Sequence, residues 1–174
     1  PVERITNHLG YATELDEARP AFVLPSEVIS APSTESDPQG RPARIFFQPN
    51  NAVESLGGYR TKGSLEGWQQ ALAPWGEHPV IVFAVLLGFA GAFKHLLHEE
   101  NHGFHLFGDT STGKTTAAQA AASVMGCPLN PARSSQSDGL FQTWNATANA
   151  VEMLLAPHSG MTVVLDEVAE VGQA

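Results

Sequence analysis

Eight consecutive residues, Gly108-Asp109-Thr110-Ser111-Thr112-Gly113-Lys114-Thr115, fit the pattern G-x-x-x-x-G-K-[ST], whose chemistry is the binding of a polyphosphate. The bracketing glycines let the backbone curl so that successive N–H groups point inward, and a helix starting at the loop's end adds its positive terminus there. Lys114 is placed to reach the outer phosphates as a mobile point charge, and the Thr115 hydroxyl to ligate an accompanying Mg²⁺. Thr116 is the weaker metal ligand of the two hydroxyls. The predicted nucleotide-contacting set is thus Gly108, Asp109, Thr110, Ser111, Thr112, Gly113, Lys114, Thr115 and Thr116, with ATP and Mg²⁺ as the implied ligands.

A second group follows some fifty residues later, where Met161-Thr162-Val163-Val164-Leu165 runs into Asp166-Glu167. An apolar strand carrying a carboxylate at its C-terminal end can present that carboxylate to a metal across a short gap. Asp166 takes that role, directly or through water. Glu167 is the candidate for polarising the water that attacks the terminal phosphate, which makes Lys114 and Glu167 the predicted catalytic pair. Transfer to an acceptor by a kinase is the main competing chemistry, and the chain shows no evident acceptor pocket or lid. Asn145, with Thr147, falls at a strand-to-helix junction, where parallel sheets bind ligands. Capping the helix accounts for both residues, and sensing the terminal phosphate is the alternative.

These residues need elements to hold them. Phe104-His105-Leu106-Phe107 reads as a strand leading into the loop, and the Ala-rich run from Thr116 to Val124 as the helix leaving it. Leu140 to Trp144 reads as a second strand, and Asn145 to Ala156 as a capped helix closed by Pro157. Upstream, Ser64 is the N-cap of a helix on which Leu65, Trp68 and Leu72 recur until Pro74 stops it. Trp68 and Trp75 are expected to pack. Val80 to Phe93 is fourteen residues without a charge, short of the roughly 20 that span a bilayer, so a buried helix is expected and no membrane anchor. Phe22-Val23-Leu24, Glu27-Val28-Ile29 and Arg44-Ile45-Phe46-Phe47 are strand-like runs between turn residues. Ser30 to Pro42, rich in Ser, Pro, Asp and Gly, is expected to be a loop.

At 174 residues and 43% apolar composition the chain can build a real core. The net charge of −9, with nine Lys and Arg, argues against a broad nucleic-acid face within these residues. Cys127 has no second cysteine to pair with, which suggests a reducing, cytoplasmic setting, and it lacks a basic neighbour in sequence, so buried filler is expected. His8, Glu14, Asp16 and Glu17 read as surface. His95, His98, His102 and His105 fall within eleven residues, but their spacing fits no zinc signature and the strand at Phe104 should carry His105 away. The chain opens on Pro-Val-Glu-Arg without a signal sequence or initiator Met, which suggests a cut from something longer.

The chain resembles the family known as domain of unknown function 927, found in proteins of phages, plasmids and other mobile elements. The likeness is carried by Gly103 to Gly108, Ser111 to Thr116, Ala120 to Gly126, the specific run Thr143-Trp144-Asn145-Ala146-Thr147-Ala148-Asn149-Ala150-Val151-Glu152, and Val164 to Glu167. Gly10-Tyr11, Ala21 to Pro25 and Gly63 to Trp68 extend it over most of the chain. Members resemble ATPases of the AAA+ and hexameric helicase kind and accompany replication modules. The resemblance therefore implies a helicase-like ATPase, with Lys114, Thr115, Asp166 and Glu167 serving phosphate, Mg²⁺ and water. It further implies core strands, a sensor and an arginine finger beyond Ala174, one such strand lying between the loop strand and the Asp166 strand. Arg133, which precedes the second motif, is a poor finger.

The expected fold is α/β: a P-loop NTPase three-layer αβα core over 103–174, incomplete at its C-terminus, preceded by a small β-rich region over 1–62 and a helical connector over 63–102. The expected function is ATP hydrolysis coupled to DNA unwinding or remodelling in a homo-oligomeric ring, with DNA bound through regions outside these residues. The alternative is a nucleotide-binding switch or scaffold in a replication complex.

Overall fold

A computed structural model of the chain describes residues 3–12, 21–30, 44–48, 56, 58–128, 140–143, 148–158 and 160–166. They form a mixed α/β arrangement. The expected N-terminal strands are present as β3 (Ala21–Val23), β4 (Val28–Ile29) and β5 (Arg44–Phe47), joined by two that the sequence reading missed, β1 (Glu3–Thr6) and β2 (Gly10–Ala12). β1 and β5 pair in parallel, while β2, β3 and β4 form an antiparallel sheet. Both missed strands are short and polar or glycine-bearing, so their β state comes from the partner and not from their own composition.

Ser64 caps α1 (Leu65–Leu72) as its position predicts, its Oγ accepting from the Gly67 amide at 3.1 Å. A 3₁₀ turn over Ala73–Trp75 follows, and Pro79 opens α2 (Pro79–Leu97), which ends on His98 in the left-handed conformation at φ 55°. Trp68 packs its ring edge-on with Phe89, and its indole N–H donates to Ser123 Oγ at 3.0 Å. Trp75 departs from expectation: it is 45% exposed, with its ring beside His78.

α2 is the larger correction. Its mean hydropathy of 2.1 and 19-residue length would by themselves suit a membrane span, yet it is no interior helix of the described residues, where 17% of its apolar window is buried. Ile81, Ala84 and Gly88 form the buried stripe, and Leu86, Phe93 and Leu97 are exposed. The reason is geometric. Its main neighbour is α3 (Lys114–Ala122), a short Ala-rich helix that covers one side of it. At Gly88 the two helices meet so closely that a Cβ would lie 2.5 Å from the Ala121 carbonyl oxygen.

β6 (Phe141–Thr143) and β7 (Val164–Asp166) pair in parallel, with Phe141 opposite Val164 and Thr143 opposite Asp166. Between them in sequence lie α4 (Ala148–Leu155) and a 3₁₀ turn over Ala156–His158. Phe141 is fully buried at the centre of a core that also takes Leu9, Tyr59, Ala117, Met161 and Val164, so the N-terminal segments share one apolar interior with α3 and β7. The expected strand over Phe104 to Phe107 is not formed. Those residues join no ladder among the described residues, and Phe104 and Phe107 are 59% and 87% exposed. An extended segment becomes a strand when a neighbour takes up its N–H and C=O groups.

Candidate functional site

The loop from Gly108 to Gly113 is a chain of turns whose conformation follows from its residues. Gly108 and Gly113 have φ of 149° and 88°, the region where a Cβ is penalised, and Ser111 also turns through positive φ at 65°. Thr112 Oγ1 donates to the Asp109 carbonyl at 2.8 Å, closing the turn from within. Lys114 Nζ donates to the carbonyls of Gly108 and Asp109 at 2.7 and 2.6 Å. The ammonium is thereby held at the mouth of the loop that precedes it. Residues 108–113 are all exposed.

α3 begins at Lys114 with Gly113 as its N-cap, and no side chain caps it. The first amides of a helix have no intrahelical acceptor, so those of Lys114, Thr115 and Thr116 converge beside the loop as donors. Thr115 is half-buried and Thr116 exposed on the opening turn. Ala117, Ala120, Ala121 and Ala122 are buried, which lets α3 lie against both α2 and β7. Small side chains serve close packing here.

Asp166 ends β7 half-buried, level with Thr143 at the end of β6. The two parallel strands thus end level with each other, and β7 packs against α3. α3, which Lys114 and Thr115 open directly after the loop, packs against the strand that bears Asp166. Asn145 and Glu167 lie outside the described residues, as do Thr147 and Arg133.

One other expectation changes, and the histidines near α2 have separate neighbours. Cys127 is half-buried, and the Arg60 guanidinium, remote in sequence, approaches its Sγ at 3.9 Å. His95 stacks on Tyr11 with ring centroids 5.8 Å apart, whereas His105 lies beside Phe107.

A buried pair that sequence reasoning missed joins the segment before α1 to the turn that precedes β7. Tyr59 Oη and His158 Nδ1 are hydrogen-bonded at 2.6 Å, each residue 5% exposed. Burial raises the Tyr59 phenol above its ordinary range and pulls the His158 imidazole down to about 4. His158 Nε2 has no hydrogen-bond partner among the described residues. Ninety-nine positions separate the two residues, and no local pattern marks either one.

The glycine-bracketed loop, the helix it opens and the acid-tipped parallel pair define a class: a mixed α/β protein with a turn-built loop at the N-terminus of a helix that packs on a parallel strand. The particular family follows. The model of the family described as Domain of unknown function (DUF927) matches residues 1–174, and the chain belongs to that family. A solved structure described as "SCCmec type IV Cch - active helicase" is similar over 98% of this chain at 25% identity, with a TM-score of 0.72. This chain spans 31% of that structure's chain. No curated protein matches it.

Proposed function

We propose that the chain forms the ATP-binding part of a helicase-like P-loop ATPase of a phage, plasmid or other mobile element, with hydrolysis coupled to DNA unwinding or remodelling. The observation that carries this reading is the exposed loop whose lysine opens the uncapped N-terminus of α3, a helix that packs against the strand ending in Asp166. Backbone amides of 109–115 would hold the phosphates, and Lys114 would exchange its two carbonyl acceptors for phosphate oxygens. Thr115 and Asp166 offer the hydroxyl and carboxylate oxygens that Mg²⁺ accepts, and a bound Mg²⁺ would offset charge on the phosphates. Glu167, one residue beyond Asp166, would orient water, and Asn145 would sense the terminal phosphate.

In this reading 103–174 belongs to the ATPase core, 63–102 is its helical connector and 1–62 a β-rich accessory region. The intact protein acts in the cytoplasm as a ring in which a neighbouring copy supplies an arginine finger. DNA is held by regions outside these residues. The net charge of −9 favours a second reading, a nucleotide switch or scaffold that binds ATP without moving DNA.

The test is ATP hydrolysis by the intact protein with and without single-stranded DNA. Turnover stimulated by DNA, abolished in Lys114→Ala and Glu167→Gln, with ATP binding retained in Glu167→Gln, is the expected result. Binding without turnover in the unaltered protein would favour the switch, and absence of binding would refute both readings.

A further inference from the structure

The hydroxyl of Thr162 lies across one rung of α2. It accepts from the Gly91 amide at 3.2 Å and donates to the Leu87 carbonyl at 2.7 Å, with the Gly88 carbonyl at 3.3 Å as an alternative acceptor. Leu87 C=O and Gly91 N–H are the two groups that the i→i−4 pattern of an α-helix pairs with each other. A side chain seated in that ladder is an identified cause of helix bending, and it fixes the helix to whatever bears the side chain. Gly91 makes the approach feasible: a Cβ there would collide with the backbone nitrogen and Oγ1 of Thr162.

What Thr162 bears is the lead into β7, four residues before Asp166. α3 already packs on α2 and on β7. Thr162 closes the third side of that triangle by bonding α2 to the start of the β7 segment directly. The two residues joined are 71 positions apart, and a threonine in an apolar strand run gives no local sign of such a bond. We propose that Thr162 is a positioning residue for Asp166: its hydroxyl, seated on the Leu87–Gly91 rung, sets where β7 ends relative to Lys114 and Thr115 at the start of α3. The role rests on the reading of Asp166 as a Mg²⁺ ligand given above.

The intact protein is compared with Thr162→Val, which keeps the shape and removes the hydroxyl, and with Thr162→Ser, which keeps the hydroxyl. Small misplacements of a reacting group cost about tenfold to a hundredfold in rate. Thr162→Val is therefore expected to lower kcat for ATP hydrolysis by about tenfold or more. It should raise the Mg²⁺ concentration giving half-maximal rate severalfold while leaving KM for ATP within about twofold. Thr162→Ser is expected to restore both. Hydrogen exchange at the Gly91 amide gives a readout independent of turnover, changing in Thr162→Val and not in Thr162→Ser, and Thr162→Ala replaces the valine variant if the latter does not fold. Unchanged kcat and Mg²⁺ dependence in Thr162→Val, or equal impairment in the serine variant, would overturn the positioning role while leaving the nucleotide site standing. An unaltered protein that does not bind Mg-ATP would remove both together.

Discussion

Two apolar segments lead into the two halves of the proposed site, and they fare differently. Val164-Leu165 runs into Asp166 as part of a parallel strand pair with β6, and Val164 is buried at 9% exposure. Phe104-His105-Leu106-Phe107 runs into the loop with no ladder among the described residues and with Phe107 87% exposed. Their sequences promise the same element. A strand is a property of a pair, whereas the loop after Phe107 is built from its own glycines and its own hydrogen bonds and needs no neighbour to exist.

The contrast can be broken most forcefully on its ladder side. Phe141 is fully buried in β6 opposite Val164, so Phe141→Ala should cost about 3–5 kcal/mol in denaturant unfolding. A loss under about 1 kcal/mol would mean that the β6–β7 pair does not organise this half.

A slightly smaller effect is expected from pH, through the turn that feeds β7. Burial holds His158 neutral down to about 4 in the folded chain, against an ordinary value of 6.5. The unfolded chain takes up that proton first. Stability from this group is thus complete above about pH 6.5 and is lost as pH falls toward 4, by up to roughly 3 kcal/mol. His158→Gln should flatten the difference in unfolding free energy between pH 6.5 and 4 relative to the unaltered chain. An identical slope in both would show that His158 gains the proton without penalty.

On the loop side, Gly88→Ala tests what holds α3, because the new methyl would press on Ala121 and Val124. A cost of about 1–3 kcal/mol is expected by thermal or denaturant unfolding, as for other overpacked cores. The smallest effect should come from Phe107→Ser, within about 0.5 kcal/mol, since an exposed side chain outside any ladder has little to lose. A large loss there would erase the distinction between the two segments.

Features governed by residues within a few positions of one another were legible in the sequence. The loop glycines, the Ser64 cap and the acid at the end of β7 all follow from local chemistry. What depended on distant partners was not. β1 and β2 exist through β5 and β3, the Phe104 segment lacks such a partner among the described residues, and how much of α2 is buried depends on its neighbours, α3 above all. The Tyr59–His158 and Thr162–α2 bonds span 99 and 71 positions, beyond the reach of any pattern. The roles of Asn145 and Glu167, like those of Lys114, Thr115 and Asp166, rest on spacing and resemblance, and Asn145 and Glu167 lie outside the described residues.

The central claim is that the loop at 108–115 and Asp166 form one Mg-nucleotide site. Calorimetric titration of ATP into the intact protein, with and without Mg²⁺, tests it most directly when run beside Lys114→Ala and Asp166→Asn. The account predicts binding that tightens with Mg²⁺, falls by about a hundredfold or more in Lys114→Ala, and loses its Mg²⁺ dependence in Asp166→Asn. Binding of equal strength in Lys114→Ala, or unchanged Mg²⁺ dependence in Asp166→Asn, would contradict it.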